Sequence, residues 1–418
     1  MTLSRKLLVF TMVCMAGVKA SAQEMSTPYS VYGIGDLEHR NYNHNSGMGY
    51  TGLALKSTLL SSGNNPASLA GLPRSFFTMD ISGAARFVTY SGDPITTDNS
   101  GNRDFTVKKL GLSTKLNSFW GSGVGFRQLS SVNYSFTKSG NVEGSNDTYA
   151  INYSGDGGLH DFYWANAFQL GKHLSLGVTS SYVTGSINQL ASLTNAASDT
   201  AVSGKRQDSY SHFRFETGAI YSIDLSKNWN FSLGASFADK TKLSVERTLV
   251  LKGNSQQVLN ESNTTASQFY LPRSYGAGIA LSSKAGQTFA LDYLFQDWSS
   301  LNVKGDGWQL MSSHRISAGA EFARYTTDQF GRNFRKRSFQ MGAYVNNSYL
   351  QVRNHPINEW GLTGGFSSST KSGMLYTISA EGGTRGTVQS GLIKENFVQL
   401  TWSFSFREFL FSQGRKYN

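Results

Sequence analysis

An alternation of apolar and polar residues with a period of two recurs along the chain and limits what it can fold into. In residues 229–237 the odd positions are apolar or aromatic and the even positions are small or polar. Residues 174–179, 289–296 and 398–406 repeat the pattern with few exceptions. Because successive side chains of a β-strand point to opposite faces, this period predicts strands whose two faces meet different surroundings. The chain is therefore predicted to be all-β.

The composition helps to decide between a soluble β-sandwich, which would show the same alternation, and a membrane barrel. Charged residues make up only 16% of the chain, aromatic residues reach 13%, and glycine occurs 44 times. The mean hydropathy is −0.32. In a transmembrane barrel every second residue faces lipid and the others face a polar interior, which keeps the mean hydropathy near neutral. Together with the number of alternating segments and the aromatic residues at their ends, this favours a transmembrane antiparallel β-barrel.

The amino-terminal residues predict export. Two basic residues precede an apolar run at residues 7–18, and the small residues 20–22 follow it as a cleavage box. The run is shorter than the ~20 residues that a membrane-spanning helix needs. Residues 1–22 are therefore predicted to be a cleaved signal peptide, and the mature chain is expected in the cell outer membrane. The single cysteine, Cys14, lies inside this peptide, which excludes disulfides and thiol chemistry from the mature chain.

Residues 23–75 differ from the rest of the chain because glycines interrupt their apolar period. They carry too many tyrosine and leucine residues for a solvated tail, although a disordered tail is the alternative. We predict that they form a compact hatch, or plug, inside the barrel lumen. Residues 76–418 are predicted to form the wall, and at ~10 residues per crossing plus connections they give about 14 strands.

Connections of two lengths alternate along the predicted wall. Short turns, such as residues 171–172 and 284–286, are typical of the periplasmic side, and longer polar stretches are typical of the extracellular side. The predicted extracellular loops are residues 91–103, 139–148, 190–209, 253–267, 300–312 and 325–336.

The formal net charge of +11 raises the question of nucleic-acid binding, but the basic residues are scattered. The densest basic cluster comprises Arg332, Arg335, Lys336 and Arg337, in or beside the last predicted loop. In an outer-membrane protein we expect such a cluster to contact the phosphates of outer-membrane lipid or lipopolysaccharide. No nucleic-acid partner is expected.

Three passages resemble the FadL/TodX-type family of outer-membrane transporters of hydrophobic compounds. They are residues 47–54 with 64–70, residues 270–299, and residues 381–397. The first is similar to the family's glycine-rich hatch and its Asn-Pro-Ala signature, here Asn65, Pro66 and Ala67. The second is similar to a hairpin that Leu-Pro opens and Asp-Trp-Ser closes, and the third resembles the closing stretch of divergent members.

This resemblance implies a 14-stranded barrel, a lumenal hatch, a binding site for apolar molecules and a lateral opening in the wall. It assigns Asn65, Pro66 and Ala67 to the hatch and its gate. From the residues alone, Pro66 fixes its own φ and favours an extended Asn65, which predicts a rigid corner; an ordinary surface turn is the alternative. Passive uptake would follow the transfer free energy of the solute, ~25 cal/mol per Å² of apolar surface, and would need no cofactor.

Charged residues at inward-facing positions are the other candidate sites. They are Arg214 and Glu216 on one face of a predicted strand, with Asp292, Glu321, Arg353 and Glu381 on others. An unpaired charge is costly away from water, so pairing with one another or with the hatch is the first expectation. The alternative is that Arg214 and Arg353 bind the carboxylate of a ligand in the lumen. The 7 histidines show no metal-ligand spacing, and without a catalytic constellation we expect no enzyme.

The sequence thus predicts a monomeric outer-membrane channel for passive uptake of small hydrophobic molecules such as long-chain fatty acids. The alternative is a FadL-like scaffold or shuttle subunit of a protein-secretion or outer-membrane assembly complex, since a fold does not determine a function. The first function needs a continuous apolar cavity and an apolar ligand. The second is compatible with a filled lumen and needs a protein partner.

Overall fold

The architecture is a closed antiparallel barrel with its amino-terminal residues inside. The computed structural model describes residues 27–57, 64–74, 76–93, 95, 100–141, 148–195, 200–253, 257–265, 268–327, 333–370 and 374–409. The predicted signal peptide, residues 1–22, lies outside the described residues. Among the described residues, no helix is long and apolar enough to cross a bilayer.

Fourteen strands form the barrel wall within the described part of the chain, as the sequence predicted. In chain order they are β1 (Phe76–Ser91), β2 (Gly101–Lys115), β3 (Trp120–Gln128 and Ser130–Asn141), β4 (Thr148–Leu170), β5 (Leu174–Asn195), β6 (Thr200–Asp224), β7 (Trp229–Ala238 and Thr241–Lys252), β8 (Val258–Thr265, Phe269–Leu271 and Ser274–Ser283), β9 (Gln287–Gln296), β10 (Ser313–Thr327), β11 (Asn333–Asn347), β12 (Glu359–Ser369), β13 (Leu375–Arg385) and β14 (Lys394–Phe409). Each strand pairs with its neighbours in sequence, and β14 closes the barrel on β1.

The alternation in sequence becomes two faces of the wall. On β9, Phe289, Leu291 and Tyr293 are exposed on the outside, whereas Ala290 and Asp292 are buried on the inside. Exposed leucine and phenylalanine side chains recur on the other strands in the same manner. This outer apolar surface is the one that meets lipid in an outer-membrane barrel.

Several strands continue beyond the membrane at one end of the barrel. β4, β5 and β6 have 23, 22 and 25 residues, more than twice the ~9–11 residues of a membrane crossing. Their extensions, with Ser130–Asn141 of β3, Thr241–Lys252 of β7 and Val258–Thr265 of β8, form what we call the raised sheet. The predicted loop at 190–209 is therefore mostly strand, because its polar residues pair in a β5–β6 hairpin outside the lipid.

One predicted extracellular loop lies at the wrong end of the barrel. β10 ends at Thr327 and β11 begins at Asn333, and this connection is on the same end as the short turns at 171–173 and 284–286. The prediction for residues 325–336 is wrong because its polar residues belong to paired strand ends. Lys336 and Arg337 are exposed on β11 at this turn end, opposite the raised sheet, while Arg332 lies outside the described residues.

An apolar core closes the other, loop end of the barrel. Its buried members come from the raised sheet, the amino-terminal residues and the connections after β9, β11 and β13, and include Tyr29, Ile34, Leu159, Val183, Leu243, Trp298, Leu350, Ile357 and Leu392. Four short strands cover it, Lys304–Gly305, Trp308–Leu310, Leu350–Val352 and His355–Pro356. Because these groups come from opposite sides of the wall, the core spans the mouth of the barrel. We call it the loop-end cap.

Candidate functional site

The amino-terminal segment, described at residues 27–57 and 64–74, contacts the wall at both the loop end and the turn end of the lumen. At the loop end, Thr27 donates a hydrogen bond to Glu395 at the start of β14 (2.5 Å). At the turn end, Lys115 Nζ at the end of β2 donates to the carbonyl of Ala70 (2.6 Å). Three short 3₁₀ helices lie along this path, at Pro28–Val31, Ser46–Met48 and Pro66–Gly71. The segment therefore occupies the full height of the barrel.

Glycines on the inner face of the wall let the segment's backbone lie directly on the strands. A Cβ on Gly342 of β11 would overlap the backbone of Met48 and Gly49, and one on Gly218 of β6 would overlap Asn65. The same holds for Gly121 of β3, Gly177 of β5, Gly234 of β7, Gly278 of β8 and Gly319 of β10. We call these seven wall residues the glycine bed. At these positions no side chain larger than hydrogen fits between wall and segment.

Arg40 anchors the segment to the wall through a buried ionic network. Its guanidinium donates to both carboxylate oxygens of Glu381 on β13 (3.0 and 3.1 Å from Nε), to Glu359 on β12, and to the hydroxyl of Tyr344 on β11 (2.8 Å). Tyr50 of the segment also donates to Glu381. The Arg40 side chain is only 3% exposed and both carboxylates only 2%. We call these five residues the clasp; separating them would leave buried charges unpaired, which is strongly unfavourable.

The Asn-Pro-Ala corner is a second anchor. Asn65 is fully buried, and its amide donates to the carbonyls of Leu53 (2.8 Å), Ala219 of β6 (3.1 Å) and Ala235 of β7 (3.1 Å). Its side-chain oxygen accepts from the backbone N–H of Ala67 (3.0 Å) and caps the helix that Pro66 begins. Asn65 has the extended conformation that Pro66 was predicted to favour. The corner is a buried anchor and not a surface turn; its role as a gate stays a prediction.

Inward acids were expected to pair with the hatch, and two of them bind the segment. Glu381 belongs to the clasp, and Asp292 of β9 accepts from the backbone N–H groups of Gly52 (2.6 Å) and Leu53 (2.9 Å). Glu321 of β10 accepts from a wall residue, Gln340 of β11 (2.9 Å).

The wall is interrupted between β2 and β3. Residues 109–115 of β2 pair with residues 121–127 of β3, but above this point β3 turns away at Leu129. There Asp36 and Leu37 of the segment pair with Ser131 and Ser130 on the edge of β3. Glu38 then meets Lys108 of β2 at 3.2 Å. We call this place the wall break; the amino-terminal segment covers it from inside.

A cavity lined by many charged residues lies in the lumen. It has a volume of about 210 Å³, and its charged lining residues are Glu38, Arg40, Lys108, Lys109, Arg127, Arg214, Glu216, Asp292 and Arg315. Arg214 of β6, a predicted lumen residue, faces this cavity and donates weakly to Ser274 of β8 (3.4 Å). Lys108, Gln128 and Leu129 also line it, so the cavity reaches the wall break. Among its charged lining residues, lysine and arginine outnumber aspartate and glutamate.

The structure does not bring Arg353 into the lumen. Arg353 has a positive φ of 48° in the turn between Leu350–Val352 and His355–Pro356, where it is exposed and donates to the carbonyl of Ser390 (2.7 Å). The prediction is wrong because β11 ends at Asn347 and Arg353 lies beyond the wall, in a turn between two short strands at the loop end.

Sequence reasoning missed Arg40, the centre of the clasp. Arg40 is the only arginine among residues 23–73, which is the one signal that could have singled it out. A lone arginine in a segment expected inside a barrel needs inward carboxylates as partners, and Glu381 was already a candidate.

Comparison with known proteins identifies relatives in family and in fold. The model of a protein family described as BamG matches residues 3–418. No curated protein matches the chain by sequence. Among solved structures, the CymD monoaromatic hydrocarbon channel superposes with a TM-score of 0.57 at 16% identity, covering 88% of this chain and 97% of that one. A FadL homologue of Pseudomonas aeruginosa gives a TM-score of 0.60 at 11% identity, covering 90% and 100%.

The toluene transporter TbuX of Ralstonia pickettii gives a TM-score of 0.55 at 15% identity, covering 87% of this chain and 97% of that one. At such identities these likenesses establish the fold, a FadL-like outer-membrane barrel, and agree with the fold that the resemblance implied. CymD is named as a channel, TbuX as a transporter, and the Pseudomonas aeruginosa protein as a FadL homologue.

Proposed function

The chain belongs to the BamG family, and from this premise we propose that it is a scaffold subunit of an outer-membrane complex that assembles or secretes proteins. One observation supports the proposal: residues 27–57 and 64–74 occupy much of the lumen, and the clasp and the glycine bed hold them against the wall. A barrel with an obstructed lumen would act through its surfaces.

The lumen lacks the properties that uptake of an apolar solute needs. Pockets for such ligands are mostly apolar and have volumes of about 300–1,000 Å³. The lumenal cavity is smaller, about 210 Å³, and carries charged groups such as Lys109 and Arg127. The loop-end cap closes the route from outside. Opening a path would break the clasp, at a cost of about 3–5 kcal/mol for a buried ion pair that loses one partner.

The raised sheet supplies surfaces for a protein partner. Within the described residues, Val258–Thr265 pairs only with β7, so its other edge is open. At the opposite edge, Ser130–Asn141 pairs with β4 and, at Ser130 and Ser131 alone, with the amino-terminal segment. Open strand edges outside the lipid accept strands of other proteins. A stable complex would bury at least ~1,200 Å² in total.

The second candidate is passive uptake of small hydrophobic molecules such as long-chain fatty acids. The wall break favours it, because a lateral gap would release an apolar solute into the membrane. The likeness to structures titled as hydrocarbon channels points the same way. In this case Asn65, Pro66 and Ala67 would belong to a gate, and the segment would have to move.

Two measurements on one preparation test the proposal. The mature protein is purified from outer membranes in mild detergent and analysed by native mass spectrometry for bound proteins and lipids. It is then reconstituted in liposomes to measure uptake of a fluorescent long-chain fatty acid. We expect a stoichiometric protein partner and no uptake above that of protein-free liposomes.

The opposite result would support the channel. The protein would then be a monomer that carries fatty acid, and its uptake would be abolished by Pro66→Ala and unchanged by Gly382→Ala. Gly382 is the matched control because a Cβ there meets no atom within 4 Å.

A further inference from the structure

The turn end of the barrel carries mostly positive charge. Each of four successive short connections has one lysine in it or beside it, and two further cations lie near the start of β11. They are Lys115, Lys172, Lys227, Lys284, Lys336 and Arg337, and all are exposed except the half-exposed Lys115. Among the described residues of these connections and of the strand ends beside them, only Asp224 and Glu408 are acidic. Cations therefore outnumber carboxylates around the circumference of this end.

The loop end differs, because its cations lie beside acids. Arg273 pairs with Asp239 at 2.8 Å, and Arg247 pairs with Asp208 at 2.6 Å. None of the six turn-end cations forms an ion pair with another described residue. The excess of positive charge is therefore a property of the turn end and not only of a basic chain.

Three cations converge at the turn end where the amino-terminal segment meets β2. Lys115 Nζ donates to the carbonyl of Ala70 (2.6 Å), and a Cβ on the next residue, Gly71, would lie 3.0 Å from the Cβ of Lys56. The two lysines therefore lie at adjacent residues of the segment, and the exposed Arg74 follows Gly71 three positions later. Lys115 is an electrostatic neighbour of Lys56, and Arg74 is one of Lys115, whereas no described carboxylate is a neighbour of either lysine.

Exposed leucines indicate that lipid hydrocarbon reaches the level of these turns. Leu116, Leu170 and Leu225 are 53%, 49% and 59% exposed, and they continue the outward-facing apolar rows of β2, β4 and β6 to the ends of those strands. A lysine lies within two residues of each, at positions 115, 172 and 227. A lysine at the border of a bilayer keeps its stem against apolar surface and its ammonium among the headgroups. The turn-end cations are therefore at the height of lipid phosphates.

We propose that the turn end binds the headgroups of anionic phospholipids in the periplasmic leaflet, with Lys56, Arg74 and Lys115 as its strongest site. Short turns mark this end as periplasmic, so Lys336 and Arg337 meet phospholipid and not the lipopolysaccharide of the outer leaflet. A basic surface at a membrane attracts anionic lipid. Cations without carboxylate neighbours gain most from a phosphate, whose oxygens accept several charge-assisted hydrogen bonds. Zwitterionic headgroups, which also carry a cation, are bound less.

Competition between two lipids tests this surface. The mature protein is reconstituted in nanodiscs with equal amounts of phosphatidylglycerol and phosphatidylcholine of matched acyl chains, and native mass spectrometry counts the lipids that stay bound when the nanodisc is dissociated. We expect phosphatidylglycerol to exceed phosphatidylcholine about fivefold or more. The triple variant Lys172→Gln, Lys227→Gln, Lys284→Gln should lower this ratio by about half or more. Arg74→Gln should remove the most strongly retained phosphatidylglycerol, and heat-modifiable migration on gels shows that each barrel is folded.

A matched control removes the same charge from the loop end. The triple variant Lys205→Gln, Lys242→Gln, Lys304→Gln changes three exposed lysines there and should leave the lipid ratio unchanged. Equal ratios in the two triple variants would show that the preference follows net charge alone, and absence of a preference in the wild type would also overturn the proposal. If the protein purified from outer membranes loses a protein partner in the turn-end variant while its bound lipids stay the same, the surface binds protein and the proposal is wrong.

Discussion

The two sides of the lumen hold the amino-terminal segment in different ways. On the side of β11 to β13 the clasp joins Arg40 to two buried carboxylates, and Gly342 brings backbone against backbone. On the side of β2 and β3 the wall separates above residue 109, a polar cavity intervenes, and Glu38 and Lys108 make a partly hydrated contact at 3.2 Å.

This difference indicates that contacts on the side of β11 to β13 hold the segment in place. Buried ion pairs and close backbone packing tolerate little change, because removing one partner leaves an unpaired charge or a steric overlap. Partly exposed pairs contribute less and are replaced by water when they break. We therefore expect substitutions on the clasp side to release the segment, and equivalent substitutions at the wall break to leave it in place.

The largest effect is expected for Arg40→Leu. It leaves Glu359 and Glu381 buried without their cation, and should lower the free energy of unfolding by about 3–5 kcal/mol. Release of the segment should expose the peptide bond after Lys56 to trypsin and raise ion conductance in planar bilayers. Arg273→Leu is the control, since Arg273 and Asp239 form an exposed pair, with side chains 48% and 63% accessible.

If Arg40→Leu stays closed and trypsin-resistant while Arg273→Leu behaves like the wild type, the clasp does not hold the segment. The side of β11 to β13 would then not be the one that fixes the segment.

A smaller effect is expected for Gly342→Ala. Its Cβ would overlap the backbone of Met48 and Gly49, and the necessary shift should cost about 1–3 kcal/mol. Hydrogen exchange of the Gly49 amide, which donates to Thr363 at 2.8 Å, should accelerate. Gly382→Ala on β13 adds the same methyl group where no atom lies within 4 Å and should change neither quantity. Equal behaviour of the two variants would show that the glycine bed is not in tight contact.

The smallest effect is expected at the wall break, for Lys108→Gln. Burial raises the pKa of the Glu38 carboxyl, but Lys108 and Arg40 outweigh it and lower that pKa to about 2. A lowered pKa stabilises the folded state above the ordinary value near 4.5 and ceases to do so as the pH falls through 2. Without Lys108 the pKa of the Glu38 carboxyl should rise, so its stabilisation of the folded state is lost at higher pH. The free energy of unfolding at pH 7 should fall by about 1 kcal/mol.

Hydrogen exchange of residues 36–40 between pH 2 and pH 7 measures this difference. The difference between the two proteins should shrink towards pH 2, as Glu38 becomes increasingly protonated in the wild type as well. A constant difference across the whole range would rule out the Glu38 carboxylate as its source.

Much of the wall could be predicted from the sequence because the surroundings of its two faces dictate the alternation of apolar and polar residues. Lipid outside and a polar interior impose the period of two, which predicted the inward positions of Asp292 and Glu381. The length of the wall, at ~10 residues per crossing plus connections, predicted the strand count. The extended conformation of Asn65 followed equally from the ring of Pro66. Both constraints act between residues that are close in the sequence, so they can be recognised without knowing the fold.

The wrong loop predictions share a physical cause. These residues lie outside the membrane, where no lipid imposes an alternating pattern on the sequence. Outside the membrane, polar strands and polar loops look alike, so residues 190–209 seemed to be a loop, and residues 325–336 were placed at the wrong end. Arg353 was assigned an inward position on a strand, but β11 ends at Asn347 and Arg353 lies in a turn beyond it. The clasp and the loop-end cap join side chains that lie far apart in the sequence, and no local pattern shows that they meet.

The route of the amino-terminal segment also fixes an order of events during biogenesis. The segment touches strands around the circumference, from Gly121 of β3 to Gly342 of β11, with no room for a side chain between. A closed cylinder with a capped mouth cannot be threaded afterwards. The segment must therefore settle on the open, curved sheet while the edges of β1 and β14 are still apart. The machinery that folds this chain into the membrane must therefore keep β1 and β14 unpaired until the amino-terminal segment has bound the wall.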